Sequence, residues 1–371
     1  MRGAWIVADS IVSPLGETSV ANYEAVRSGK SGIRALDMLP GLPPVYVGQI
    51  KDIDATASYT RFEALCAEAL TRALAGLTLP ADRTLFILST TKGNIAMLER
   101  GQAGHERIHL HTTAQHLAAA FGLPNVLVVS NACISGVMAL IIARRYMLAG
   151  QYDHAVVLGA DELSRFIVSG FQSLSALGSE PCRPFDRDRK GVSLGECAAA
   201  IVVSALPEAL GVTPEVCIMG GGISNDANHI SGPSRTGDEL AQAVRQALTE
   251  AGTTREELGF VSAHGTATLY NDEMEAKAFN TLGLTSVPVN STKGSFGHTL
   301  GAAGVLETVL SLYSLRRNEV LPTVGFEHHG VSQPITINHS LHSKPMTRSL
   351  KTASGFGGCN AAIVLQKKTN K

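Results

Sequence analysis

No stretch of this chain stays apolar long enough to cross a bilayer; the best candidate, Val137 to Leu148, is cut by Arg144 and Arg145. Residues Met1 to Ser10 lack the basic, apolar and cleavage regions of a secretory leader. An excess of one charge is missing too. The formal net charge is -1, which gives no reason to expect nucleic acid or an anionic membrane as the main partner. The six cysteines have no metal-ligand spacing and suit reduced thiols better than a disulfide framework. Aromatic residues amount to only 5%, against 37 glycines, so close helix–sheet packing and tight turns are expected, as in an α/β architecture. At 371 residues the chain exceeds one small core and has room for two domains or one large one. A cytoplasmic enzyme is the expectation these absences leave.

Apolar runs and turn residues divide the chain into alternating strands and helices. Strands are expected at 3–13, 84–89, 126–130, 154–159 and 197–205, with helices from Thr18 or Ser19 to Gly29, over 59–76 and from Gly136 to Ala149. Residues 100–112, with His105, His109 and His111, form the least regular part of this half, and 179–195 reads as a polar loop. The second half repeats the grammar. Strands are expected at 215–223, before His264, and at 287–292, 334–338, 350–354 and 361–366. Helices fall at 237–251, 272–283 and Gly301 to Arg317. Alternation of this kind predicts largely parallel, covered sheets. The succession of strand, small-residue turn and apolar helix at Val128–Leu148 returns at Val287–Leu315, a weak mark of internal duplication.

Cys133 stands out within Val128-Val129-Ser130-Asn131-Ala132-Cys133-Ile134-Ser135-Gly136. A β-branched run ends there and an apolar helix begins, so the thiol is expected at a helix N-terminus, whose unpaired N–H groups stabilise a thiolate. The bland alternative is a buried small hydrophobe. His264-Gly265-Thr266 and Gly297-His298 lie in the other half. One activated sulfur and two histidines suggest thioester chemistry.

Four motifs then occur in a telling order: Asn131-Ala132-Cys133-Ile134-Ser135-Gly136, His264-Gly265-Thr266-Ala267-Thr268, Asn290-Ser291-Thr292-Lys293-Gly294-Ser295-Phe296-Gly297-His298, and Gly355-Phe356-Gly357-Gly358-Cys359-Asn360. Together with Ser13-Pro14-Leu15-Gly16 they resemble the β-ketoacyl-ACP synthases of the elongating, Cys-His-His type, over nearly the whole chain. The resemblance implies a thiolase fold: two similar βα halves, 1–208 and 209–371, in five α-β-α-β-α layers, usually paired as a dimer. It implies that Cys133 accepts an acyl chain from acyl-carrier protein. His264 and His298 would act on malonyl-ACP, with the backbone N–H groups of Cys133 and Phe356 as an oxyanion hole and Phe356 as a gate. Lys293 and Glu307 match a charged pair tuning the histidines; read without the family they are a loop lysine and a helix-surface acid. Asp272 matches a supporting acid, with a plain helix N-terminal carboxylate as the alternative. Thr266 and Thr268 match hydroxyls that hold phosphopantetheine. No cofactor bound to this chain and no metal is implied.

The chain departs from the family in being shorter, mainly before residue 60 and around 100–112. It has Leu269-Tyr270-Asn271 in place of a proline and glycine turn, Ser354 in place of a phenylalanine, and Ser175 near a usual carrier-binding arginine. Substrate choice therefore stays open between fatty-acid elongation and specialised polyketide or polyene elongation. Arg187, Arg189 and Lys190 alternate with acids and read as a solvated loop or a carrier-docking one. His105, His109, His111 and His116 resemble a metal cluster by count only. Cys359 invites comparison with a degradative thiolase. A homodimer, or a heterodimer in which this chain is the active partner of a Cys-less chain-length factor, both fit.

Overall fold

The computed structural model describes residues 3–227 and 230–368. In chain order the main elements are β1 (Ala4–Val12), α1 (Ser19–Arg27), α2 (Arg61–Leu74), β2 (Thr84–Ser89), α3 (Leu110–Ala120), β3 (Asn125–Val129), α4 (Ser135–Leu148), β4 (His154–Asp161), α5 (Arg165–Ser173) and β5 (Cys197–Ser204). They continue with β6 (Val216–Asn225), α6 (Asp238–Ala251), β7 (Leu258–Ser262), α7 (Leu269–Thr281), β8 (Val289–Asn290), α8 (Ala303–Arg317), β9 (Arg348–Gly355) and β10 (Cys359–Lys367). Side-chain caps set several boundaries: Thr18 accepts from the Ala21 N–H, and Thr60 with Glu63 forms a reciprocal capping box.

The strands follow the order β8-β7-β9-β10-β6-β1-β5-β4-β2-β3. Counted outward from the centre, β1-β5-β4-β2-β3 mirrors β6-β10-β9-β7-β8, each strand matching the one five places later. Directions match as well. β2 runs parallel to β3 and β4, as β7 does to β8 and β9, whereas β5 and β10 run antiparallel to both neighbours. The halves join edge to edge where Ala4 and Trp5 of β1 pair with Ile218 and Cys217 of β6. The expectation of largely parallel sheets is thus corrected: the sheet is mixed. A tight turn returns β9 into β10, and a direct reversal of that kind forces an antiparallel pair.

Helices α2 and α3 cover the outer face of one half-sheet, and α6 and α7 that of the other; α4 and α8 lie between and touch both. With a half-sheet in each gap this gives five layers. Continuous apolar strands follow from coverage on both faces: every residue of β4 and of β5 is buried. The middle helices cross at glycine. A Cβ on Gly304 would lie 2.4 Å from the Val137 nitrogen, and one on Gly136 would lie 3.0 Å from the Gly304 Cα. That crossing brings the start of α4, and so Cys133, against the half carrying the histidines.

Two of these main helices went unforeseen. α3 buries Thr113, Ala114, Leu117 and Ala118, a face with little apolar contrast, and its first turns are histidine-rich. α5 begins at Ser164, whose side chain accepts from the Ile167 N–H. Residues 334–338 form no strand; Ile337 makes only an isolated bridge to Val289. The 179–195 segment is a loop for most of its length, but Leu194 and Gly195 form a short strand beside Val47 and Gly48.

Candidate active site

Cys133 sits on a strained elbow between β3 and α4. Ala132 adopts φ 45°, a conformation costing a non-glycine residue about 1 kcal/mol or more. The Ser135 hydroxyl holds it there, accepting from the Asn131 N–H at 2.7 Å and donating to the Ala132 carbonyl at 2.6 Å. The turn places the sulfur against His264 and His298. The Cys133 sulfur and one ring nitrogen of each histidine all lie within 4.8 Å of one another, and all three residues are buried. The Phe356 backbone N–H points at the sulfur and lowers the thiol pKa; a Cβ on the preceding Gly355 would lie 3.0 Å from the Cys133 nitrogen.

The helix end does not prevail at Cys133. Burial pushes the thiol up to about 12, with the neighbouring Cys359 adding to the rise, against Lys293 and the Phe356 N–H. α4 begins only at Ser135, so Cys133 precedes its first turn. Burial thus opposes the thiolate that a helix N-terminus would favour.

The two imidazoles meet edge to face, centroids 5.0 Å apart. His264 follows β7, where its backbone N–H is taken by Glu275 Oε1 at 2.8 Å and that of Gly265 by Oε2 at 2.6 Å. Lys293 Nζ lies 3.3 Å from His264 Nδ1 and donates to the His264 carbonyl at 2.5 Å. An ammonium has no lone pair, so Nδ1 must accept and the ring proton resides on Nε2. His298 has no protein partner among the described residues at either ring nitrogen. Burial first, and then the Lys293 ammonium, hold both histidines well below the ordinary imidazole range.

Lys293 and Glu307 form an ion pair at 2.7 Å, both buried, so the loop-lysine and surface-acid alternatives are wrong. A residue the sequence reading missed stands beside them. Lys351 on β9 is fully buried, with Nζ 2.6 Å from Glu307 Oε2. A lysine inside the buried strand Arg348–Gly355 was the available signal. These two ammonium groups also oppose a metal cation among the sulfur and imidazoles.

Asp272 braces the neighbouring turn rather than simply capping α7. It accepts from the backbone N–H groups of Phe185 at 2.7 Å, Thr266 at 3.0 Å and Ala267 at 3.2 Å, and burial raises its pKa to about 7. Thr266 and Thr268 share a hydrogen bond at 2.9 Å, and Thr268 also caps α7 through the Asn271 N–H. The Phe356 ring rests against Phe171 of α5, centroids 5.5 Å apart, a partner not foreseen. Ser354 donates to Asn360 across the β9–β10 turn at 2.8 Å, and Cys359 is buried beside the nucleophile. Ser175 is exposed just beyond α5, at φ 53°. Arg189 is withdrawn from any docking face: it is buried and donates to the carbonyls of Asp186 and Gly330, while Arg187 and Lys190 are exposed. His116 is engaged by Arg107 and the Ser58 carbonyl, and His105 accepts from the Arg107 N–H. Together with His109 and His111 they make no converging donor set among the described residues.

The family model for the β-ketoacyl synthase N-terminal domain matches residues 90–209, and that for the C-terminal domain matches residues 216–327. The chain belongs to the β-ketoacyl synthase family. It is 28% identical over 411 aligned positions to 3-oxoacyl-[acyl-carrier-protein] synthase 2 of Vibrio cholerae, with 99% of each chain covered. It is 31% identical to the polyketide biosynthesis malonyl-ACP decarboxylase PksF of Bacillus subtilis, over 64% of this chain and 60% of that one. Among solved structures, a chain of the ishigamide ketosynthase/chain length factor superposes with a TM-score of 0.89 at 26% identity, covering 99% of this chain and 100% of that one. The five-layered arrangement is the thiolase fold of these ketosynthases, and the family is one of acyl-transferring enzymes.

Proposed function

We propose that the protein condenses an acyl group carried on Cys133 with malonyl-ACP to give 3-oxoacyl-ACP, carbon dioxide and free carrier. The observation that carries this reading is the convergence of the Cys133 sulfur and two imidazoles within 4.8 Å, under an N–H donor from Phe356.

In the first step the Cys133 thiol attacks the acyl thioester; its proton passes through a neutral imidazole to the departing carrier thiol. The Cys133 and Phe356 N–H groups receive the charge forming on the thioester oxygen. In the second step malonyl-ACP enters with its thioester oxygen toward His264 Nε2–H and His298. Loss of carbon dioxide leaves an enolate, and the two donors stabilise its oxygen. The enolate carbon attacks the acyl-Cys133 carbonyl, a carbon–carbon bond forms, and the sulfur departs and takes up one proton. Lys293 and Glu307 hold His264 in the required tautomer, Asp272 supports its loop, Thr266 and Thr268 contact phosphopantetheine, and Phe356 moves against Phe171 to admit the chain.

The chemistry draws on the carrier's phosphopantetheine and calls for no cofactor bound to this chain. The halves 1–208 and 209–371 act as two repeats, one supplying the nucleophile and the other the histidines. Partner subunits pair along β3, an edge strand whose Val126, Leu127 and Val128 are only half-buried. The partner is a second copy or a chain-length factor; the ishigamide pair favours the latter, with this chain as the active subunit. A cytoplasmic setting keeps Cys133 reduced, and no helix of the described residues is long and apolar enough to cross a membrane. Whether the product serves fatty-acid or polyketide elongation depends on the acyl chain.

Intact-protein mass spectrometry tests the reading, with acyl-ACPs from short saturated chains to conjugated polyenes offered to wild type and Cys133→Ala. An acyl increment on wild type alone is expected, and its mass identifies the chain. No adduct from any carrier, with or without a co-expressed partner, would refute it.

A further inference from the structure

Lys351 has no place in the reaction as written, yet it is buried more completely than any solvated lysine can be. Its ammonium lies 2.6 Å from Glu307 Oε2 and donates to the carbonyl of the adjacent Thr352 and to those of Ser262 and Ala263, the last two at 3.2 Å. Ser262 and Ala263 immediately precede His264. Glu307 therefore has an ammonium at each oxygen: Lys293 donates to Oε1, and Lys351 stands in ion-pair contact with Oε2.

Charge counting gives the second argument. Three carboxylates are buried here, Glu307 on α8 and Glu275 and Asp272 on α7; Glu275 is occupied by the His264 and Gly265 N–H groups, and Asp272 has Arg189 as its cation, which leaves Glu307 and Glu275 to be balanced. Buried charges persist only when paired. Lys293 balances one carboxylate, and Lys351 is the cation available for the other.

We infer that Lys351 is a positioning residue of the condensing site: it locks the second oxygen of Glu307, ties the backbone leading into His264, and supplies the positive charge that neutralises the four-membered Lys293–Glu307–Lys351–Glu275 cluster. This rests on the condensing function proposed above. The groups facing the imidazoles are the same cluster and the Cys133 thiol. His264 is opposed by Lys293, His298 and Lys351, and His298 by Lys293 and Lys351; Glu307 and Glu275 act on the lysines in turn. Removing the Lys351 charge makes protonation of the histidines easier, and a protonated imidazole cannot take the thiol proton.

The test is the pH dependence of kcat/KM for condensation of acyl-ACP with malonyl-ACP, using the intact protein with whichever partner subunit it requires. Lys351→Met is expected to move the acid limb upward by about one pH unit. Glu307→Gln should move it downward, and the double variant should return it toward wild type. A folded Lys351→Met enzyme whose acid limb coincides with wild type would overturn the assignment, because a purely space-filling lysine changes rate without displacing the limb. If Lys351→Met does not fold, the same coupling is read between Glu307→Gln and the double variant, which removes the pair together. Separated limbs support the assignment and superimposed limbs overturn it. A wild type that forms no 3-oxoacyl product would sink the condensing function itself and take this assignment with it.

Discussion

Replacing Glu307 with Gln perturbs a buried double ion pair. Glu307 is 2% exposed and forms ion pairs with two ammonium groups, at 2.7 Å and 2.6 Å. Removing one member of a buried ion pair costs ~3–5 kcal/mol; glutamine keeps the volume and one acceptor oxygen, so the lower end applies. Unfolding entropy of about 2.1 cal/mol/K per residue over this chain converts that loss into a Tm decrease of about 4 °C near neutral pH. The loss must also depend on pH. Burial already lowers the Lys351 pKa, and Glu307 is the largest influence opposing it. Without the carboxylate the folded-state value falls further below that of the unfolded chain, so the unfolded state binds more protons and stability rises with pH. The Tm deficit should be widest near pH 6 and narrow toward pH 9. Thermal melts of wild type and variant at matched protein and salt concentration measure this, since subunit association makes Tm concentration-dependent. A deficit under 1 °C, or one unchanged between pH 6 and 9, would refute the buried double ion pair.

Three further outcomes follow from the geometry. With the Cys133 thiol held near pKa 12, its alkylation by iodoacetamide, followed by peptide mapping, should accelerate about tenfold per pH unit from pH 6 to 10; a plateau near neutrality would mean that the helix end prevails over burial. His298→Ala should cut condensation by about a hundredfold or more while Cys133 still acquires the acyl group in mass spectrometry; loss of the adduct as well would assign His298 to acyl transfer. Gly304→Ala pushes a methyl to 2.4 Å from the Val137 nitrogen, so a loss of ~3 kcal/mol or an insoluble protein is expected; an unchanged denaturation midpoint would contradict the close crossing of α4 and α8.

Much of the fold was legible because its strands are apolar runs bounded by turn residues. The buried strand Thr84–Ser89 appears at its expected limits, and α1, α2, α4, α6 and α8 fall within a few residues of theirs. What misled was low contrast. α3 hides its inner face behind threonine and alanine, and residues 334–338 carry a strand-like pattern while making a single bridge. Strand direction was also misjudged, since the alternation of elements does not show that β1, β5, β6 and β10 run against their neighbours.

By itself the sequence determined the chemistry on offer: a cysteine on a tight turn before an apolar helix, two histidines in glycine-bearing loops, and motifs in the order of one enzyme family. These are local properties of residue type and spacing, readable without knowing which segments touch. The tertiary structure decided the burial that pushes the Cys133 thiol up, the withdrawal of Arg189 into a brace, the pairing of Phe356 with Phe171, and the presence of Lys351 beside Glu307. Each of these depends on burial or on contact between residues distant in sequence. A lysine is a surface charge by default, and only closure of five layers around β9 removes its water and leaves it a carboxylate as its partner.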